Sequence, residues 1–122
     1  MNIKELKSAI LGGFYDKAFT ELYGSDCDLE AVKARYLSCA EGFESTYGDK
    51  NYGALRLFSV AGRSEISGNH TDHNNGKVLA AAINLDAVAM VEKREDLIIN
   101  VNSQGYSPLT VDAGDLSIKD EE

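Results

Sequence analysis

The spacing of apolar residues changes once along this chain of 122 residues, close to residue 50, and that change constrains the fold more than any other feature. Before it, apolar residues recur every three or four positions. Ile3, Leu6 and Ile10 mark one helical stripe, which Gly12-Gly13 stops. Asp16 is expected to cap a short second helix that carries Phe19 and Leu22 and ends at Gly24. A longer helix is predicted from Leu29, Val32, Tyr36, Cys39 or Ala40, Phe43 and Tyr47, which share one stripe. Lys33, Arg35, Glu41 and Glu44 are expected on its wet side. Asp26, Asp28 and Glu30 stand at its start, where carboxylates complement free N–H groups and the helix dipole. The glycine and terminal glutamate spacing of a calcium loop is missing, so capping is the expected role. Tyr36 and Tyr47 lie on the stripe and read as packing residues.

From Asn51 onward the pattern is that of strands. Ala54–Val60 is a short run dense in Leu and Phe, which predicts a strand buried on both faces. Val78–Ile83 and Leu85–Val91 predict two further strands or one bent strand. Leu97, Ile99 and Val101 alternate with Ile98, Asn100 and Asn102, a half-buried strand. Leu109 and Val111 follow the only proline, Pro108, and predict a last short strand. Asp112–Glu122 is polar and acidic and is expected to fray. The expected architecture is α+β: amino-terminal helices packed on a small, largely antiparallel sheet. Residues 1–50 form the helical segment and residues 51–122 the β-rich part of a single domain. Strands buried on both faces need covering layers, and an uncovered face favours a homo-oligomer.

Charge narrows the partners. Twelve Lys and Arg stand against twenty Asp and Glu, a net charge of −8. An acidic surface repels the phosphate backbone, so no nucleic-acid partner is expected, and none in an anionic membrane surface. The stretch Val78–Val91 is broken by Asn84 and Asp86 and is too short and polar to span a bilayer. No long apolar core follows Lys4, Glu5 and Lys7, so no secretory signal is expected. Cys27 and Cys39 form no CxxC pair and read as reduced thiols, which points to the cytoplasm.

One segment stands apart. Gly62-Arg63-Ser64-Glu65-Ile66-Ser67-Gly68-Asn69-His70-Thr71-Asp72-His73-Asn74-Asn75-Gly76 reads as a long polar connection between two apolar strands and contains both histidines. A plain turn between strands needs about two to five residues. Its glycines permit sharp turns and close approach to a ligand. Asp, Asn and His hold hydrogen-bonding atoms near the backbone on few rotors, which suits a ligand with several adjacent hydroxyls. Arg63 adds a permanent cation and a fork of donors beside a developing negative charge. Residue types and spacing leave three readings open. One is a wet surface loop with Asn75-Gly76 as a tight turn. The second is a metal site, since His70-x-Asp72-His73 is similar to part of the HxHxDH run of metallo-hydrolases, with Gly68 where the first histidine would fall. The third is a polyol or sugar site.

The run Gly62-Arg63-x-Glu65-Ile66-x-Gly68-Asn69-His70-Thr71-Asp72-His73-Asn74-x-Gly76, followed by Val78-Leu79, resembles the amino-terminal signature of galactokinases, members of the GHMP sugar and metabolite kinases. The resemblance covers about Leu55 to Val91, and the first fifty residues show nothing comparable. It implies that Arg63 is the catalytic arginine beside the reacting sugar oxygen, and that Arg63, Asn69, His70 and Asp72 bind galactose or a related hexose. Asn69 stands where the family has Glu, Ala61 replaces its Pro, Glu65 its Asn and His73 its Tyr, and these departures bear on which sugar is bound. The resemblance also implies ATP and Mg2+ as cofactors of a full-length parent that phosphorylates the C1 hydroxyl of galactose. A Gly/Ser-rich phosphate loop does not occur in these 122 residues, and Gly68 to Gly76-Lys77 has the wrong spacing for a Walker loop. Asp86, Asp96 and Asp112 read as turn or strand-end carboxylates rather than as the family's catalytic aspartate. No cofactor or metal site is therefore expected in this chain, and alone it is expected to be inactive. The alternatives are a non-catalytic galactose sensor on the same scaffold and a small metal-binding protein using His70, Asp72 and His73.

Overall fold

The computed structural model describes residues 2–48, 55–68 and 72–117, and of Asp72 the backbone only. Three helices precede four strands: α1 (Ile3–Leu11), α2 (Asp16–Tyr23), α3 (Leu29–Tyr47), β1 (Leu55–Ser67), β2 (Leu79–Glu92), β3 (Ile98–Val101) and β4 (Leu109–Asp112). The class is α+β, as the sequence implies. The strands form two separate antiparallel pairs, β1 with β2 and β3 with β4, rather than one sheet.

The helices begin where side chains satisfy their free N–H groups. Asn2 accepts from the Glu5 N–H while the Glu5 carboxylate accepts from the Asn2 N–H, a reciprocal cap on α1. Asp28 accepts from the Ala31 N–H and caps α3, as its position in the acidic cluster predicts. Asp16 does not act as a cap. It is the first residue inside α2, behind Tyr15, and its carboxylate instead meets Lys33 at 3.0 Å. Lys33, expected in water, is 8% exposed. Its alkyl stem lies along the core while its ammonium reaches Asp16 and Glu30, so the charge is satisfied at the core's margin.

Ile3, Leu6, Ile10, Phe19, Val32, Tyr36 and Ala40 make the core, with Phe19 and Tyr36 rings 4.6 Å apart. Leu57, Val88 and Met90 from the hairpin pack against it. Ser59, Leu57 and Leu55 share this helix-side face with Val88, Met90 and Glu92, their partners across the ladder. The opposite face is uncovered: Phe58 is 45%, Val60 64% and Leu85 72% exposed. The run dense in Leu and Phe is thus buried on one face only, because all three helices precede the hairpin and α3 packs on one side of β2.

Of the two alternatives for Val78–Val91, the structure has the single bent strand: β2 runs through, with its irregularity around Ile83–Leu85. One further expectation changes. In β3 it is Ile98 that is half-buried, whereas Leu97, Ile99 and Val101 face solvent. Apolar side chains occupy both parities there, so alternation alone does not choose the inward face.

Candidate functional site

The polar segment is shorter as a connection than its composition suggests. Gly62 to Ser67 continue β1, so the connection runs only from Gly68 to Val78, with a 3-10 turn at Asp72–Asn74. Arg63 therefore stands on a paired strand, opposite Ala82. It is exposed, and strand alternation places it on the same side of the hairpin as Ser59 and Ala61, beyond the helices. Asp72 opens the 3-10 turn. Asn69 and His70 lie outside the described residues, as does the side chain of Asp72. His73 is exposed, with its ring nitrogen Nε2 3.2 Å from the Asn74 amide. Asn75 adopts a left-handed φ of 62°, which Asn tolerates. Among the described residues no cluster of three His, Cys, Asp or Glu could hold a metal ion. His70 of the HxDH reading falls outside them.

Two opposed irregularities aim this end of the hairpin. Between the pairs Ala61↔Asp86 and Arg63↔Ala82, β2 carries extra residues around Ile83–Leu85. Between Glu65↔Ala80 and Ser67↔Leu79, the surplus residue is on β1, at Ile66. Bulges bend a strand and raise its twist, which redirects the side chains that follow. Gly62 faces the first bulge, and a Cβ there would sit 3.1 Å from the Leu85 carbonyl oxygen. Gly68 closes β1 at a φ of +121°, where a Cβ would lie 2.6 Å from the Val78 Cα and 2.7 Å from the Lys77 carbonyl oxygen. The two ends of the connection touch at this glycine, directly before Asn69 and His70.

Asp86 is the residue that reasoning from sequence misplaced. It is not at a strand end; it sits within β2 with its side chain 8% exposed. Ser59 donates to its Oδ2 at 2.6 Å, Tyr23 donates to the same oxygen, and Arg35 donates to Oδ1 at 2.7 Å. Arg35 also donates to the Asp86 carbonyl oxygen at 3.2 Å. Burial alone would raise this carboxyl, but the hydrogen bonds from Ser59, Tyr23 and Arg35 outweigh it and hold the group at about 2. Burial, then the Tyr23 hydroxyl 2.9 Å away, pushes the Tyr36 phenol up. One carboxylate thus ties α2 and α3 to both strands, next along the ladder to the bulge that precedes Arg63. The sequence does hold a signal: an acid amid the apolar run Val78–Val91 requires buried partners.

The bulged hairpin and its connection coincide with a known pattern. Residues 41–93 match the galactokinase galactose-binding signature. The class is thereby a sugar-kinase signature carried on an antiparallel hairpin backed by helices. The chain is related to the galactokinases through this stretch and resembles an amino-terminal portion of one. Similar proteins include the galactokinase of Bacillus subtilis (strain 168), 34% identical over 64 residues, which cover 52% of this chain and 16% of the relative. The galactokinase of Lactococcus lactis subsp. cremoris is 32% identical over 85 residues, 67% of this chain and 21% of the relative. That of Clostridium beijerinckii is 36% identical over 58 residues, 48% of this chain and 15% of the relative. The chain therefore spans only about a sixth to a fifth of these relatives' length. No solved structure matches it. No helix among the described residues is long and apolar enough to cross a membrane.

Proposed function

We propose that this chain is the sugar-recognition portion of a galactokinase-type enzyme, binding galactose or a related hexose. The observation that carries this reading is the coincidence of the signature, residues 41–93, with a hairpin whose bulged strand presents Arg63 and whose connection contains Asn69, His70 and Asp72. In this reading Asn69, His70 and Asp72 exchange hydrogen bonds with ring hydroxyls. Arg63 stabilises charge on the sugar oxygen as phosphate is transferred to C1. Asn69 contributes an NH2 group with two donors and a carbonyl acceptor where a glutamate would only accept, which alters the hydroxyl pattern it fits. ATP and Mg2+ belong to the complete enzyme, acting in the cytoplasm. Holding the nucleotide phosphates requires a cradle of free N–H groups, and no Gly/Ser-rich run in these 122 residues supplies one.

Two measurements test the reading. Four or five hydrogen bonds at about 1 kcal/mol net each, less the ordering cost, give millimolar affinity or weaker for galactose. Titration calorimetry is expected to show such binding, weakened in Arg63→Ala. No heat at tens of millimolar galactose sinks the sugar assignment. In a coupled ADP-release assay the purified chain is expected to show no galactose-dependent turnover, and measurable turnover overturns the claim of inactivity alone.

The uncovered face of the hairpin adds a partner. Phe58, Val60, Leu85 and Val91 expose an apolar strip, and burying it against a second copy lowers its cost in water. Light scattering on the purified chain is expected to give a mass above that of a single chain, and to drop when Val60 and Leu85 are both changed to Thr. A strictly monomeric wild-type chain contradicts this.

A further inference from the structure

Arg35 differs from the other partners of Asp86. Tyr23 and Ser59 hold the carboxylate. A single nitrogen of Arg35, Nη2, donates to the carboxylate at 2.7 Å and to the main-chain carbonyl oxygen of the same residue at 3.2 Å. The guanidinium thus grips the backbone of β2 as well as a side chain. One turn further along α3, the Cys39 thiol donates to the Val88 carbonyl oxygen at 3.9 Å. The spacings match, because four residues of helix advance about 6 Å and two residues of strand about 6.8 Å. Side chains of α3 fasten β2 at Asp86 and Val88, and Asp86 is the one nearer the connection.

The register changes at that residue. From Leu55↔Glu92 to Ala61↔Asp86 the ladder is regular. The next pair is Arg63↔Ala82, so β1 has advanced from 61 to 63 while β2 has moved from 86 to 82, a surplus of two residues on β2. An even surplus keeps every side chain on its own face, so facing alone does not fix where the surplus sits. Continuing the Arg63↔Ala82 register inward by one step would put Ala61 opposite Asn84 and centre the surplus on Asp86. The bend would then lie nearer the helices. Gly62 leaves room for the bulge, since a Cβ there would sit 3.1 Å from the Leu85 carbonyl oxygen, but room alone does not hold it in place. The grip on Asp86 does, because displacing that residue breaks both hydrogen bonds from Arg35.

We propose that Arg35 is a positioning residue for the sugar site: its two-point grip on Asp86 fixes where the hairpin bends, and thereby where β1 carries Arg63 and the connection that follows. The proposal rests on the sugar-recognition reading. Arg35 acts through Asp86 and does not itself meet the sugar. Arg63 is the first paired residue beyond the surplus, so its place depends directly on where the bend lies. A polar site functions only with its groups held within about 0.5 Å of their working geometry. A bend moved by two residues travels about 6.8 Å along the strand, far outside that tolerance.

The test compares three variants of the full chain. Arg35→Met keeps an aliphatic stem and loses both hydrogen bonds. Arg35→Lys offers one ammonium where one nitrogen made both bonds, so it restores the grip in part. Tyr23→Phe loosens the same carboxylate without touching the main chain of β2. The first readout is the register. Asp86 turns its carbonyl to Arg35 and so away from β1, which makes Ala61↔Asp86 a pair without mutual hydrogen bonds, its Cα atoms about 4.5 Å apart. The Hα–Hα contact of that pair in NMR spectra is expected in wild type, Arg35→Lys and Tyr23→Phe, and is expected to give way to an Ala61–Asn84 contact in Arg35→Met. The second readout is calorimetry with galactose. Arg35→Met is expected to bind at least fivefold more weakly than wild type, Tyr23→Phe within twofold of it, and Arg35→Lys between the two. The proposal is overturned if Arg35→Met keeps the Ala61–Asp86 contact or binds galactose as wild type does. It is also overturned if Tyr23→Phe weakens binding as much, since that marks a loss of stability alone. Should Arg35→Met not fold, Arg35→Gln is read by the same criteria. The two failures are distinguishable: a wild-type chain that binds no galactose sinks the sugar reading, and an unchanged register in the variant sinks the role of Arg35.

Discussion

Asp86→Ala is expected to lower the unfolding free energy in urea by about 3 kcal/mol. The substitution removes the acceptor for Ser59, Tyr23 and Arg35 together. Asp86 is 8% exposed and Arg35 47%, so the hydroxyl bonds count nearly in full and the ion pair is discounted for screening by water. A loss of this size is a large fraction of the roughly 5–15 kcal/mol that holds a domain folded. Tyr23→Phe removes one donor and leaves Ser59 and Arg35 on the carboxylate, so it is expected to cost about 1 kcal/mol. If the two variants lose equal amounts, the carboxylate is not the hub of the network.

The same network makes a prediction in acid. The Asp86 carboxyl is held at about 2 in the folded protein, below its ordinary 3.8. A depressed folded value means that the unfolded chain binds the proton more readily. The stabilisation is complete above the ordinary carboxylate range and is lost as pH falls toward 2. Between about pH 5 and pH 2 the stability difference between wild type and Asp86→Ala is therefore expected to shrink. A difference that stays constant across that interval contradicts the assignment. Comparing the two proteins isolates this group from the other carboxylates of a chain whose net charge is −8.

Gly68→Ala is expected to be as damaging, by a different route. The φ of +121° strains any side chain, and the added Cβ meets two backbone groups, the Val78 Cα and the Lys77 carbonyl, at 2.6 and 2.7 Å. Backbone cannot rotate away as a flexible side chain would, so the ends of the connection must part. The expected cost is about 2–4 kcal/mol. Because Asn69 follows directly, galactose binding in calorimetry is expected to vanish even where the chain remains folded. Gly105→Ala is the control: its φ is +85°, yet nothing lies within 4 Å of the added carbon. It carries the backbone strain without the collision and is expected to cost about 1 kcal/mol. Equal losses in the two variants show that conformation, and not close approach, fixes Gly68.

Helix positions were legible because their signals are local. Asp28 caps α3 through a contact with a residue three positions on, and Val32, Tyr36 and Ala40 recur at one helical spacing. Asp16 and Lys33 were misread because their partner is another helix, and no spacing within either segment records that meeting. Arg63 to Ser67 look like loop because an exposed strand outside the core has no apolar alternation to show. Only the ladder with β2 makes it a strand. Asp86 reads as a turn or strand-end carboxylate because its partners Tyr23, Arg35 and Ser59 lie far from it in sequence and no local spacing records them. Of the proposed sugar ligands, Arg63 is placed on β1, whereas Asn69 and His70 fall outside the described residues. The chemistry of the segment was readable; its aim depends on bulges that residue types do not encode.

Those bulges make the hairpin sensitive to the parity of its length. Side chains alternate across a strand, so the surplus around Ile83–Leu85 keeps Ala82 and Asp86 on one side only because the count between them is odd. Deleting a single residue there turns Leu79–Ala82 over relative to Asp86 and swings the following segment to the far side of the ribbon. Deleting two restores the original sides. Among homologues, gaps at this place should come in even steps, whatever residues fill them.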